Sequence, residues 1–300
     1  MSVYVEAIVP YNFRDISNEE KALAEIYSIR DKFVAFYKLS KLYEMNICDY
    51  EDSKYDRTYE LDLTLQSLSI ELGNGFLFIH GGWRYSPYFY LSEDGVPWLR
   101  CMFYDVLHVL GIEEAYIVDE FHGDNNSYAD DKYFKDYAMT FEDWKNAYPP
   151  PSELPMSVLH RIDAEEWPEI DCMYLDKFSD IKQRLSDLKR KFPELEILTT
   201  CNIIGKYVYA LEAGMPVLVD ENSGEILRFG KIDGIYNYFN TAGIEVFKGN
   251  KSAFFTDKGK KVTPYRGRRF GWRWGDVSPQ RTVEKIEVYN KQTKEVIYCK

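Results

Sequence analysis

Residues 216–229 read PVLVDENSGEILRF. Two apolar runs, Pro216 to Asp220 and Glu225 to Phe229, flank Glu221-Asn222-Ser223-Gly224, a set of residues that favours a turn. The stretch predicts a β-hairpin, and with it antiparallel pairing. A second hairpin is expected at the end of the chain. There Lys285 to Tyr289 alternates, Asn290 to Lys294 turns, and Glu295 to Tyr298 returns.

Outward from these hairpins, strands and helices mix without a regular β-α-β-α rhythm. Val3 to Val9 alternates and predicts an opening strand. Ser17 and Glu20 have capping-box spacing, and Ala22, Ile26, Ile29, Phe33 and Phe36 mark one face of a helix expected to run to about Tyr43. Residues 48–58 are polar and read as a loop. Leu61, Leu63 and Leu65 alternate, and Leu68, Ile70 and Leu72 alternate on a shifted phase. That pattern fits a long strand with a bulge better than an amphipathic helix. Gly73-Asn74-Gly75 is a turn before the buried strand Phe76 to Ile79. Tyr88 to Leu91 and Val96 to Leu99 could flank a hairpin turn at Asp94-Gly95. A helix is then expected to end at Gly111, a strand at Ala115 to Asp119, a helix capped by Ser179 and ended by Pro193, and a strand at Glu196 to Thr200. No internal repeat is legible. The expected fold class is α+β, with mixed, mostly antiparallel sheets and packed helices. Tyr148-Pro149-Pro150-Pro151-Ser152 is the clearest interruption, because three prolines cannot continue a helix. It divides the chain provisionally into 1–148 and 152–300, with a single domain as the equal alternative.

The five cysteines are odd in number, far apart and without a C-x-x-C pair. This argues against a disulfide scaffold and a structural zinc site, and for a reducing compartment. The first residues, MSVYVEAIVP, lack the basic start of a signal peptide, and no stretch has the length of a membrane helix. A cytoplasmic location is expected.

Short catalytic motifs are missing. His80-Gly81-Gly82 after a strand has the glycines of an oxyanion loop, but no G-x-S-x-G supplies a nucleophile. Ile204-Gly205-Lys206-Tyr207 lacks the first glycine and the Ser/Thr of a phosphate-binding loop. Cys201 has no identifiable base and reads as a buried structural cysteine. Asp119, Glu120, His122 and Asp124, with Asp130 and Asp131, could ligate a divalent metal; an acidic surface that meets a basic partner is favoured over the metal, and a plain solvated loop over both. No metal or other cofactor is expected.

Charge is the remaining signal. The chain carries −12 overall, yet residues 251–300 hold 13 Lys/Arg against 5 Asp/Glu, a balance of +8 that leaves −20 on residues 1–250. Within that segment, RGRRFGWRWG at 266–275 interleaves four arginines with aromatic rings. One reading is intramolecular, with the arginines paired to the acidic body, Trp272 and Trp274 on one side of a strand and in the core, and Arg273 on the other side. The other is an anion site at Arg266, Arg268 and Arg269. A long nucleic acid is disfavoured, because the acidic body repels it.

The expectation is therefore a non-enzymatic binding protein that offers an acidic, tyrosine-rich surface, including Asp119, Glu120, Asp124, Asp130 and Asp131, to a basic protein. Toxin-neutralising immunity proteins share this physical profile. The alternative is an enzyme acting on a phosphorylated or acidic small molecule held by the arginine patch. Oligomeric state is not legible.

Overall fold

The computed structural model describes residues 5–41, 43–49, 57–63, 65, 68–81, 98–119, 141–142, 152–153, 174–202, 206–238, 243–267, 270–274 and 286–299. Helices and antiparallel sheets combine in an α+β fold, as the hairpins predict. The chain forms two compact units. One comprises residues 1–33, 43–63 and 67–186, the other 34–42, 64–66 and 187–300. The proline run lies outside the described residues, and strands before and after it share one sheet in the first unit.

That sheet contains β1 (Val5–Pro10), β2 (Tyr43–Asp49), β3 (Arg57–Leu63), β4 (Leu68–Leu72), β5 (Phe76–His80), β6 (Ala115–Asp119), β7 (Ser152–Glu153) and β8 (Tyr174–Asp176), in the order β2-β3-β4-β5-β1-β6-β8-β7. Every described pairing is antiparallel except β7 with β8. Side chains alternate across a strand, so the register sorts them into two faces. Val5, Ala7, Val9, Leu61, Leu63, Ile70, Leu77, Ile79, Ala115 and Ile117 make one face and are buried. Ala22, Ile26 and Ile29 of α1 (Glu19–Tyr37) and Leu99, Phe103, Val106 and Leu107 of α2 (Trp98–Leu110) add to the unit's buried apolar set.

Four expectations change at residue level. The phase shift between Leu65 and Leu68 is the end of one strand and the start of the next, not a bulge, because β3 and β4 pair as a hairpin. The α1 helix stops at Tyr37, short of Tyr43. Lys38 takes the left-handed conformation (φ 56°) that ends a helix, and Tyr43 opens β2. The cap is Asn18, whose Oδ1 accepts the Lys21 N–H at 3.2 Å, in place of Ser17. Trp98 and Leu99 begin α2, so the expected strand up to Leu99 is helical at its end, while 82–97 lie outside the described residues.

Arg100 of α2 is 1% exposed and holds a buried network. Its Nε and Nη2 donate to Asp176 at 2.8 and 2.9 Å, and Nη1 and Nη2 donate to Asp180 at 2.8 and 3.1 Å. Asp176 Oδ1 also accepts the Phe178 N–H at 2.9 Å. Two carboxylates and the planar guanidinium thus tie α2 to the junction between β8 and the helix α3 (Ser179–Lys191).

The second unit contains three antiparallel sheets. They are β12-β11-β10-β9, with β9 (Leu195–Ile197), β10 (Tyr207–Glu212), β11 (Met215–Asp220) and β12 (Ile226–Arg228); β13-β14-β15, with β13 (Gly234–Tyr238), β14 (Gly243–Lys248) and β15 (Lys251–Thr256); and β16-β17-β18, with β16 (Phe270–Trp274), β17 (Ile286–Asn290) and β18 (Val296–Cys299). A single turn recurs in them. The backbone N–H of Asp220, Thr256 and Asn290 donates to the carbonyls of Glu225, Lys260 and Glu295 at 2.8, 2.8 and 2.9 Å. Side-chain oxygens of the same three residues accept N–H groups inside the turn, from Asn222, from Lys258 and Lys260, and from Gln292 and Thr293. Each turn ends on a left-handed residue, Gly224 (φ 76°), Gly259 (φ 72°) or Lys294 (φ 60°). The turn at Thr256 closes one residue sooner than the turns at Asp220 and Asn290. Phe254, Phe270 and Val288 join the second and third sheets in one core, with Phe254 ring to ring against Phe270 (6.1 Å) and Tyr298 (5.6 Å).

Candidate functional site

On the second face of the first unit's sheet, polar side chains gather beside the buried Ile8, Phe76 and Phe78. Ser69 lies opposite His80 and Asp62, and Glu71 lies opposite Glu60. Glu6 precedes Ala7, the partner of Ile79, and so comes beside His80. One face therefore gathers Glu6, Glu60, Asp62, Glu71, Ser69 and His80, all half-buried. The strands bring no lysine or arginine to this face at any described position. His80 sits among the acids, with Nε2 3.4 Å from Glu60 Oε1 and 3.9 Å from Glu71 Oε2. Ser69 donates its hydroxyl to Asp62.

Burial pushes the His80 imidazole below its ordinary pKa, against the pull of Glu60 and Asp62, which favour the cation. Among the described residues, no group of three or more His, Cys, Asp or Glu side chains is arranged to hold a metal ion. What the face offers is a cluster of carboxylates that the strands hold in register.

The acids singled out from sequence lie elsewhere. Asp119 ends β6 opposite Val5, and its side chain lies outside the described set. Glu120, His122, Asp124, Asp130 and Asp131 lie outside the described residues altogether. Sequence reasoning passed over Glu60, Asp62 and Glu71 because they were read only as the polar positions between leucines. A strand with acids at every second position was the available signal.

In the C-terminal basic segment, Arg266 is exposed and bridges Ser252 through its backbone. Its guanidinium makes no ion pair among the described residues. Arg268 and Arg269 lie outside the described residues. β16 supplies the expected strand, with Trp272 opposite Val288, but the side chains of Trp272, Arg273 and Trp274 lie outside the described set. Cys201 is buried, in agreement with a structural role. Lys206 of the incomplete phosphate-loop sequence instead pairs with Asp220, Nζ to Oδ2 at 2.6 Å. Among the described residues, no helix is long and apolar enough to cross a membrane. No protein-family model matches the chain, and neither a curated protein nor a solved structure matches it significantly.

Proposed function

We propose that the protein is a non-enzymatic binding protein of the cytoplasm that engages a basic protein through the carboxylate face of its first sheet. The observation that carries this reading is the gathering of Glu6, Glu60, Asp62 and Glu71 around His80 on one face to which the strands bring no lysine or arginine. Opposite charge accelerates encounter and fixes orientation, and strands hold the acids in register with little entropy left to lose on binding. Neutralisation of a basic toxin by an immunity protein is the kind of partnership this surface suits.

Affinity purification from the native cell at roughly 50 mM salt tests the proposal. The tagged chain is compared with a Glu60→Gln, Asp62→Asn, Glu71→Gln variant. A stoichiometric basic partner, held by the first and lost by the second, is expected. Equal retention by both chains, or a partner that is acidic, contradicts the proposal.

A further inference from the structure

The second unit carries a cluster of cations of its own. Lys248 and Lys251 face each other across the turn that joins β14 to β15. The chain then returns alongside β15, with bridges from Phe255 to Lys261 and from Ser252 to Arg266. This return brings Tyr265 between two lysines. The ammonium groups of Lys248 and Lys261 lie 4.9 and 4.6 Å from the centre of its ring.

Two ammonium groups of the cluster are held in place by backbone carbonyls. Lys248 Nζ donates to the Phe229 carbonyl at 2.7 Å, and Lys41 Nζ donates to the carbonyl of Gly249 in the turn itself. The carboxylate of Asp233 accepts the Gly249 N–H beside them. Lys41, Lys248, Lys251 and Lys261 form no ion pair among the described residues, in a chain where acids outnumber bases 49 to 37. The two ammonium groups on Tyr265 can be no farther apart than the sum of their distances to the ring, about one Debye length at physiological salt. The ring's negative face tolerates such a pair, but only an anion neutralises it. Burial also raises the Tyr265 pKa, so its hydroxyl stays a neutral donor at the patch.

We infer that Lys41, Lys248, Lys251, Lys261 and Tyr265 form a binding site for a small ligand that carries two or more adjoining phosphoryl groups. Clustered ammonium groups, two of them held by backbone carbonyls, match closely spaced phosphate oxygens as point charges. The −12 net charge disfavours a long polyanion. A ring already engaged by two of the protein's own cations is not an open platform for base stacking.

Calorimetric titration of the full chain with inorganic triphosphate at roughly 50 mM salt tests the site. A saturable one-to-one isotherm is expected, weakened ~10-fold or more in Lys261→Ala and unchanged in Lys189→Ala, a control at an exposed lysine of α3. Tyr265→Leu, which removes the ring that positions two ammonium groups, is expected to weaken binding as well. The inference is overturned by the absence of saturable heat up to millimolar ligand or by equal weakening in Lys189→Ala. Displacement of triphosphate by far lower concentrations of a single-stranded oligonucleotide would overturn it in favour of nucleic-acid binding. Failure here leaves the acidic-face reading standing.

Discussion

Arg100 shows what a single residue can do that its sequence neighbourhood does not announce. In sequence it is one cation near the start of an apolar helix. Its partners Asp176 and Asp180 lie 76 and 80 residues downstream, and no local pattern links such positions. Folding places both carboxylates around one buried guanidinium, Asp176 in the interior and Asp180 half-buried. Arg100→Ala would leave Asp176, whose side chain is 3% exposed, without its cation. Removing one member of a buried pair costs about 3–5 kcal/mol. The urea midpoint of this variant should therefore fall steeply, and an unmoved midpoint would show that the network carries little of the stability. The acids of the sheet face were hidden for a related reason. Glu60 and Glu71 belong to two strands, and only the register makes them neighbours of His80.

At the scale of the element, the hairpins were the most legible features because turn chemistry is local. The sequence 216–229 and the final hairpin fold as read. Their kinship with the turn at Thr256 was not legible, because Asp, Thr and Asn perform one hydrogen-bonding role with three different side chains. Asp220 gives the role a measurable consequence. Burial alone would raise its pKa, but the Lys206 ammonium, the Ser223 hydroxyl and backbone N–H groups hold the carboxyl down at about 2, below its ordinary 3.8. The unfolded chain thus takes up the proton first as pH falls. The stability that ionised Asp220 contributes is present above pH 3.8 and is lost as pH falls toward about 2. Asp220→Ala should destabilise the protein by about 1–3 kcal/mol at neutral pH, the usual cost of leaving charged or buried partners unsatisfied. Asp220→Asn should cost less, because asparagine already serves the same turn at Asn290. Denaturation curves of the two variants check this ranking, and an equal loss in both would assign the effect to the charge alone.

At the scale of the whole molecule, composition announced the charge asymmetry but not where the charge resides. The −20 of residues 1–250 is partly concentrated on a sheet face, and part of the +8 of the last 50 residues gathers around Tyr265. Segregation of this kind arises from strand register and chain return, which lie beyond any sequence window. The central claim is that the acidic face captures a basic protein by long-range attraction, and such attraction must weaken as ions screen it. The most direct test is the association rate of the purified partner, followed by stopped-flow fluorescence from roughly 50 to roughly 500 mM salt. The account predicts a rate that falls at least ~10-fold over this range, and a much shallower fall for the Glu60→Gln, Asp62→Asn, Glu71→Gln variant. A rate that stays flat with salt, or falls equally in both proteins, would contradict it.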